Sequence, residues 1–220
     1  MNAYKNSQPR MVTIVYLHGF RSSPASEKAQ AMRRHVDAMP VATRPRLAIP
    51  ELDHAPRDAM RMLLEWIERE VSGPLALVGS SLGGYYATYL AEKFGARAVL
   101  VNPAVTPYDD LAVYVGPQTN LYTGRVFDVL PAHFDELRAL DVGPLRDPSR
   151  YLVYLQTGDE VLDWRVAAAR YGGAWQCVEG GGDHGFAGFE RHMPTILRFA
   201  AGEFARGADW SAPPRRGRAA

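Results

Sequence analysis

Three residue types in this chain have the chemistry and the spacing for nucleophilic acyl transfer. They are a serine in a glycine-flanked turn, a histidine among glycines and an aspartate behind an apolar run. The serine lies in Gly79-Ser80-Ser81-Leu82-Gly83, a G-x-S-x-G pentapeptide between the apolar run LALVGS and a segment of helical character. That context gives the motif its meaning, because a sharp strand-to-helix turn displays a hydroxyl in a cleft. The turn strains the backbone at Ser81 and crowds its neighbours, so Gly79 and Gly83 stand where a Cβ would collide. The helix that follows offers unpaired N–H groups and a partial positive charge to a developing anion. Ser80 is the adjacent alternative, but the glycine spacing favours Ser81. A purely structural turn is the other reading. A phosphate loop of the Walker type needs a lysine after its last glycine, and Gly84 is followed by Tyr85.

A serine hydroxyl becomes a useful nucleophile when a base removes its proton, and histidine is the usual base. Of six histidines, His184 stands out in GGGDHGF, after the last apolar run and before the last helical segment. In a parallel sheet that loop lies at the carboxyl edge, as the Ser81 turn does. His35 and His192 fall in helical segments as surface residues, and His54 and His133 in loops or caps. An acid must hold the imidazole in one tautomer and stabilise its charged form. Asp159, in TGDEVLDW, sits just past an apolar run and is the first choice. Asp163 is the runner-up and Glu160 third, while Asp183 reads as a loop-shaping neighbour of His184. The tetrahedral intermediate needs two N–H donors. Leu82 supplies one, directly after the nucleophile, and Phe20, in His18-Gly19-Phe20, the other. His18 then reads as a structural residue of its loop, and Ser22 and Ser23 could line the entrance.

The elements that must position these residues alternate along the chain. Apolar, β-branched runs predict strands at Val12–Leu17, Arg46–Leu52, Leu75–Ser80, Ala98–Ala104, Tyr151–Gly158 and Ala174–Gly181. Pro50 limits the second of these or sends it to an edge. Helical spacing joins Ala29, Met32, Val36 and Met39 after Pro24, and Met60, Leu63, Leu64 and Ile67 after Pro56. A third helix follows Ser81 and stops at Gly95, and a closing helix spans 186–204. The alternation predicts an α/β fold: about six mostly parallel strands with helices on both faces. Residues 1–205 form one domain in this reading. From Thr106 to about Arg150 no strand is drawn. Short helices are expected near Tyr108–Val115 and His133–Leu140, and this excursion, about 104–150, is the place for a cap.

Composition bounds the rest. The 220 residues suffice to bury one complete core, roughly 70% of the surface the unfolded chain exposes. Hydrophobic residues make up 47% and charged residues 22%, with a net charge of +1, so no strong field recruits nucleic acid or an anionic membrane. Cys177 is the single cysteine, which excludes an internal disulfide and reads as a small buried hydrophobe. The polar start MNAYKNSQPR reads as a loose leader without a signal-peptide apolar region, and no run nears the roughly 18 apolar residues of a membrane span. The expected setting is reducing and cytoplasmic. Residues 206–220, with Arg215, Arg216 and Arg218, read as a flexible solvated tail, with a nucleic-acid contact as the alternative.

Several segments together resemble one family. YLHGFRSSPASEKA, VGSSLGGYYATYLAEKFG, VNPAV, QTGDEVLDW and EGGGDHGFAGFE are similar to the small bacterial YqiA-type esterases of the α/β-hydrolase superfamily, in motif order from about Val12 to Phe199. The resemblance implies a compact sheet without the antiparallel strands that open larger members. It implies esterase activity on short-chain or aryl esters, with acyl-CoA thioesters as an alternative. It carries nucleophile, acid and base onto Ser81, Asp159 and His184. The segment between Asn102 and Tyr151 matches less well, with Tyr122-Thr123-Gly124 its clearest shared piece, so substrate choice transfers least. The chemistry calls for no metal or organic cofactor. A small-molecule ester or thioester is the expected partner, and Arg21 with the tail arginines could meet CoA phosphates. A catalytically silent binding protein is the rival of another class.

Overall fold

The computed structural model describes residues 11–204, so the leader and the arginine-bearing tail lie outside the described residues. In chain order the strands are β1 (Thr13–Leu17), β2 (Arg46–Ala48), β3 (Leu75–Ser80), β4 (Arg97–Val101), β5 (Gly116–Thr119), β6 (Val126–Val129), β7 (Tyr151–Gln156) and β8 (Trp175–Glu179). The helices are α1 (Glu27–Asp37), α2 (Pro56–Glu70), α3 (Leu82–Phe94), α4 (Pro107–Asp110), α5 (Pro131–Arg138), α6 (Trp164–Arg170) and α7 (Met193–Ala200). Six strands form one sheet in the order β2-β1-β3-β4-β7-β8, and every pairing in it is parallel.

The apolar runs become central strands because both faces of the sheet are covered. Alternate residues feed two cores. Val15, Leu17, Leu77, Leu100 and Val153 pack with α2 and α3 on one face. Ile14, Tyr16, Val78, Val99, Val101 and Tyr154 pack with α1 and α7 on the other. The period of two along each strand thus stitches both layers to one sheet. In α1 the expected stripe buries Ala29, Met32 and Val36, with Met39 half-buried beyond the helix end. In α2, begun by Pro56, Met60, Leu63 and Ile67 are buried and Leu64 is half-buried. Gly95 ends α3 with φ 65°, in the left-handed region where a Cβ is disfavoured.

Four expectations need correction. β2 is only three residues long, an edge strand that ends before Pro50. The closing helix shrinks to α7 behind a 3-10 turn at Phe189–His192, because Phe186 and Gly188 take positive φ and Pro194 can stand only in a first turn. Helix α6, which the sequence reading did not draw, is capped by Asp163. Between β4 and β7, where no strand was drawn, β5 and β6 form an antiparallel hairpin outside the main sheet. Its strands GPQT and VFDV are short and polar, and Pro117 is tolerated because this ribbon has open edges. The short helices expected on either side appear as α4, with a 3-10 turn at Ala112–Tyr114, and as α5. Among the described residues no helix is long and apolar enough to cross a membrane.

Candidate active site

Strand β3 lies between β1 and β4, and Ser81 follows it directly. Its backbone takes φ 55° and ψ −122°, a conformation that L-residues rarely adopt. Hydrogen bonds hold it there. The Ser81 N–H donates to the Val101 carbonyl at 3.0 Å, and its own carbonyl accepts from Gly84 at 2.9 Å and Ala104 at 3.1 Å. The flanking glycines leave no alternative. A Cβ on Gly79 would stand 2.2 Å from the Gly83 oxygen, and one on Gly83 2.1 Å from the Leu17 oxygen. Ser80, by contrast, remains inside the sheet and is buried.

The Ser81 Oγ lies 3.0 Å from His184 Nε2. The opposite ring nitrogen, Nδ1, lies 2.8 and 2.9 Å from the two oxygens of Asp159. The structure therefore brings together three side chains from the loops after β3, β7 and β8, all at the carboxyl edge of the sheet. The Asp159 carboxyl is 2% exposed and accepts N–H bonds from Val161 and Leu162, each at 2.9 Å. Burial alone would raise its pKa. The His184 hydrogen bond, the two backbone donors and the attraction of the imidazolium outweigh burial and hold it below the usual carboxylate value. Such a carboxylate stays charged and keeps the Nδ1–H tautomer, leaving Nε2 free to accept the serine proton.

The other acids have different work. Asp163 accepts the Arg165 N–H as the cap of α6. Glu160 accepts the backbone N–H of His184 at 3.0 Å. Asp183 joins a backbone network described below. Among the histidines, His192 is not a surface residue: its side chain is 14% exposed and its ring lies 4.5 Å from that of Tyr154. His133 accepts the Leu130 N–H at the start of α5. Cys177 is half-buried in β8, where burial pushes its thiol pKa up.

His18 fixes the loop after β1. Its Nε2 accepts the Leu52 N–H at 3.2 Å, so the proton sits on Nδ1, which donates to the Gly19 carbonyl at 3.1 Å. Burial lowers its pKa and keeps it neutral. A trans peptide directs its C=O and N–H in opposite senses, so a held Gly19 oxygen also aims the Phe20 N–H. Among the described residues neither the Phe20 N–H nor the Leu82 N–H has a protein acceptor. Both residues line a cavity of about 210 Å³ that Tyr86, Phe127, Arg21, Arg125, Glu51 and Asp53 also line; Ser81 stands just outside the lining, next to Leu82. Ser22 lines it too, whereas Ser23 is buried and accepts the Ala25 N–H.

Sequence reasoning missed the residues that hold the histidine loop. Asn102, at the end of β4, is buried with φ 41°. Its Nδ2 donates to the carbonyls of Asp183 at 3.0 Å and His184 at 3.2 Å, and its Oδ1 accepts the Gln156 N–H at 3.0 Å. Gln156, at the end of β7, accepts the Asp183 N–H with Oε1 at 3.1 Å and donates to the Ala187 carbonyl with Nε2. Lys28, from α1, donates to the Gly185 carbonyl at 2.7 Å. One signal was available: an Asn-Pro pair directly after a strand marks a turn whose asparagine tolerates the left-handed region.

Comparison with known proteins adds a family and a fold. A sequence model described as "Uncharacterised protein family (UPF0227)" matches residues 13–201. A UPF0227 protein of Shewanella sediminis is 27% identical over 195 residues, covering 84% of this chain and 98% of that protein. Among solved structures, alpha/beta hydrolase domain-containing protein 10 from mouse is similar with a TM-score of 0.62 at 18% identity, covering 84% of this chain and 87% of that one. The esterase domain of a Rhodothermus marinus protein is similar with a TM-score of 0.60 at 16% identity, covering 90% and 88%. At these identities the likeness establishes the α/β-hydrolase fold.

Proposed function

The chain belongs to the UPF0227 family, the YqiA-type group, and from that premise we propose that it is a serine hydrolase cleaving carboxylic esters through a covalent acyl-Ser81 intermediate. The observation that carries the reading is the unbroken line of hydrogen bonds from Asp159 through both ring nitrogens of His184 to the Ser81 oxygen. In the first half-reaction Oγ attacks the ester carbonyl carbon while Nε2 takes its proton. The carbonyl oxygen gathers negative charge and receives the N–H groups of Phe20 and Leu82. Collapse breaks the bond to the leaving oxygen, which departs as an alcohol with the proton from His184. In the second half-reaction His184 takes a proton from water, the hydroxide attacks the acyl carbon, and the serine proton is restored as the acid leaves. Asp159 steadies the imidazolium in each half.

A cavity of about 210 Å³ lined in part by Phe20, Tyr86 and Phe127 supports short-chain or aryl acyl groups. Arg21 in its lining keeps acyl-CoA thioesters as the competing substrate. The proposed setting is cytoplasmic, which suits a chain with one cysteine. The test is turnover of p-nitrophenyl acetate together with labelling by a fluorophosphonate. Ser81→Ala is expected to abolish labelling and to reduce turnover by about 10⁴-fold or more, with the fold intact. Unchanged turnover in that variant refutes the role of Ser81. Stoichiometric capture of one acyl group without turnover favours a silent binding protein instead.

A further inference from the structure

We infer that the β5–β6 hairpin is a positioning element for the Phe20 N–H, with Asn120 as the clamp that ties it to the loop after β1. The inference rests on the proposed role of that N–H as a donor to the oxyanion.

Among the described residues the hairpin has no strand partner in the main sheet, yet its tip is fastened to the loop after β1. Asn120 Nδ2 donates to the Ser22 carbonyl at 2.7 Å. The Leu121 N–H donates to the Arg21 carbonyl at 2.8 Å. In return, Arg21 Nε donates to the Thr119 carbonyl at 3.0 Å. These three bonds grip the two residues directly after Phe20. The ring of Phe20 is held by the same insertion, 5.4 Å from Tyr114 and 6.0 Å from Phe127 between centroids.

The backbone explains what the grip is for. Arg21 has φ 55°, a left-handed conformation that a long side chain does not adopt without external support. Releasing the two carbonyls lets Arg21 relax towards negative φ, which turns the Phe20–Arg21 peptide and, through Phe20, shifts the Gly19–Phe20 peptide that carries the Phe20 N–H. His18 holds the Gly19 carbonyl of that second peptide, and the hairpin holds the chain on the other side of Phe20. The Phe20 N–H is thus aimed from both directions. A donor displaced by even a fraction of an ångström loses much of its value to a developing charge. The hairpin also supplies Phe127 and Arg125 to the cavity lining, so the element that meets the acyl group is the one that sets the donor.

Asn120 allows the clamp to be separated from the turn. Its Oδ1 accepts the N–H groups of Tyr122 and Thr123 at 2.9 and 3.0 Å, which shapes the hairpin tip. Asn120→Asp keeps that acceptor and removes the donor to Ser22. For p-nitrophenyl acetate kcat should fall roughly ten-fold with KM changed less than about two-fold, given that complete loss of an oxyanion donor costs about 10²–10³. The specific readout is an ester compared with its thionoester, in which sulfur replaces the carbonyl oxygen and accepts N–H bonds poorly. Wild-type protein should favour the ester, and Asn120→Asp should shrink that preference in step with its loss of kcat. Arg21→Met, which cuts the Thr119 tie and leaves the turn intact, should shift the ratio in the same direction if Asn120→Asp folds poorly. Wild-type kcat in Asn120→Asp, or equal losses on both substrates, overturns the role of the hairpin alone. Turnover that survives Ser81→Ala overturns the underlying reading instead.

Discussion

The carboxyl edge of the parallel sheet and the insertion between β4 and β7 border one cavity, but different physics builds them. At the sheet edge, position is set by close packing of backbone. Ser81 hangs between β1 and β4, and glycines at 79 and 83 permit contacts that no Cβ could enter. In the insertion, position is set by a few polar ties across exposed chain, such as Asn120 to Ser22 and Arg21 to Thr119. Val113, Leu121 and Val126 are exposed there, whereas every residue of β1 and β7 is buried. The contrast teaches how the labour divides: a closely packed edge fixes the geometry of Ser81, His184 and Asp159, and a lightly anchored segment borders the cavity next to them.

Substituting glycine on each side breaks or sharpens this comparison. The largest effect is expected from Gly83→Ala, whose Cβ would lie 2.1 Å from the Leu17 oxygen. Since that neighbour is backbone, about 3 kcal/mol or more of stability should be lost along with turnover, as read by denaturant titration and p-nitrophenyl acetate hydrolysis. Asn102→Ala comes next. It strands the carbonyls of Asp183 and His184 and the Gln156 N–H, at about 1–3 kcal/mol for each group that water cannot reach. The melting temperature should drop by about 10 °C, and kcat should fall more than KM rises, because the imidazole is misplaced while the pocket is untouched. Gly124→Ala, in the hairpin turn, should be the mildest. Nothing lies within 4 Å of the new Cβ, and only φ 70° opposes it, costing about 1 kcal/mol. A Gly124→Ala variant as damaged as Gly83→Ala would erase the distinction between the two regions.

The same contrast decides what could be read without coordinates. β1, β3, β4 and β7 were legible because strands buried on both faces are written as unbroken apolar runs. Ser81, Asp159 and His184 were legible as a group because each lies in the loop after a predicted strand, and a parallel sheet carries all those ends to one edge. The hairpin was not, because GPQT and VFDV owe their pairing to partners across a turn rather than to a buried face. Nor were Asn102 and Gln156. They bond to loops about eighty and thirty residues further along the chain, a distance over which local pattern carries no information. Helix α7 was drawn too long because apolar periodicity continued through Pro194 and hid the turn before it.

The proposed reaction depends most on Ser81 carrying the acyl group. Rapid acid quench of the protein with p-nitrophenyl acetate, followed by mass analysis of its peptides, tests this directly. One acetyl group should appear on the peptide containing Ser81 within the first turnover, and His184→Ala should slow its appearance. Sustained hydrolysis with Ser81 unmodified, or an acetyl group confined to another side chain such as Cys177, would contradict the account.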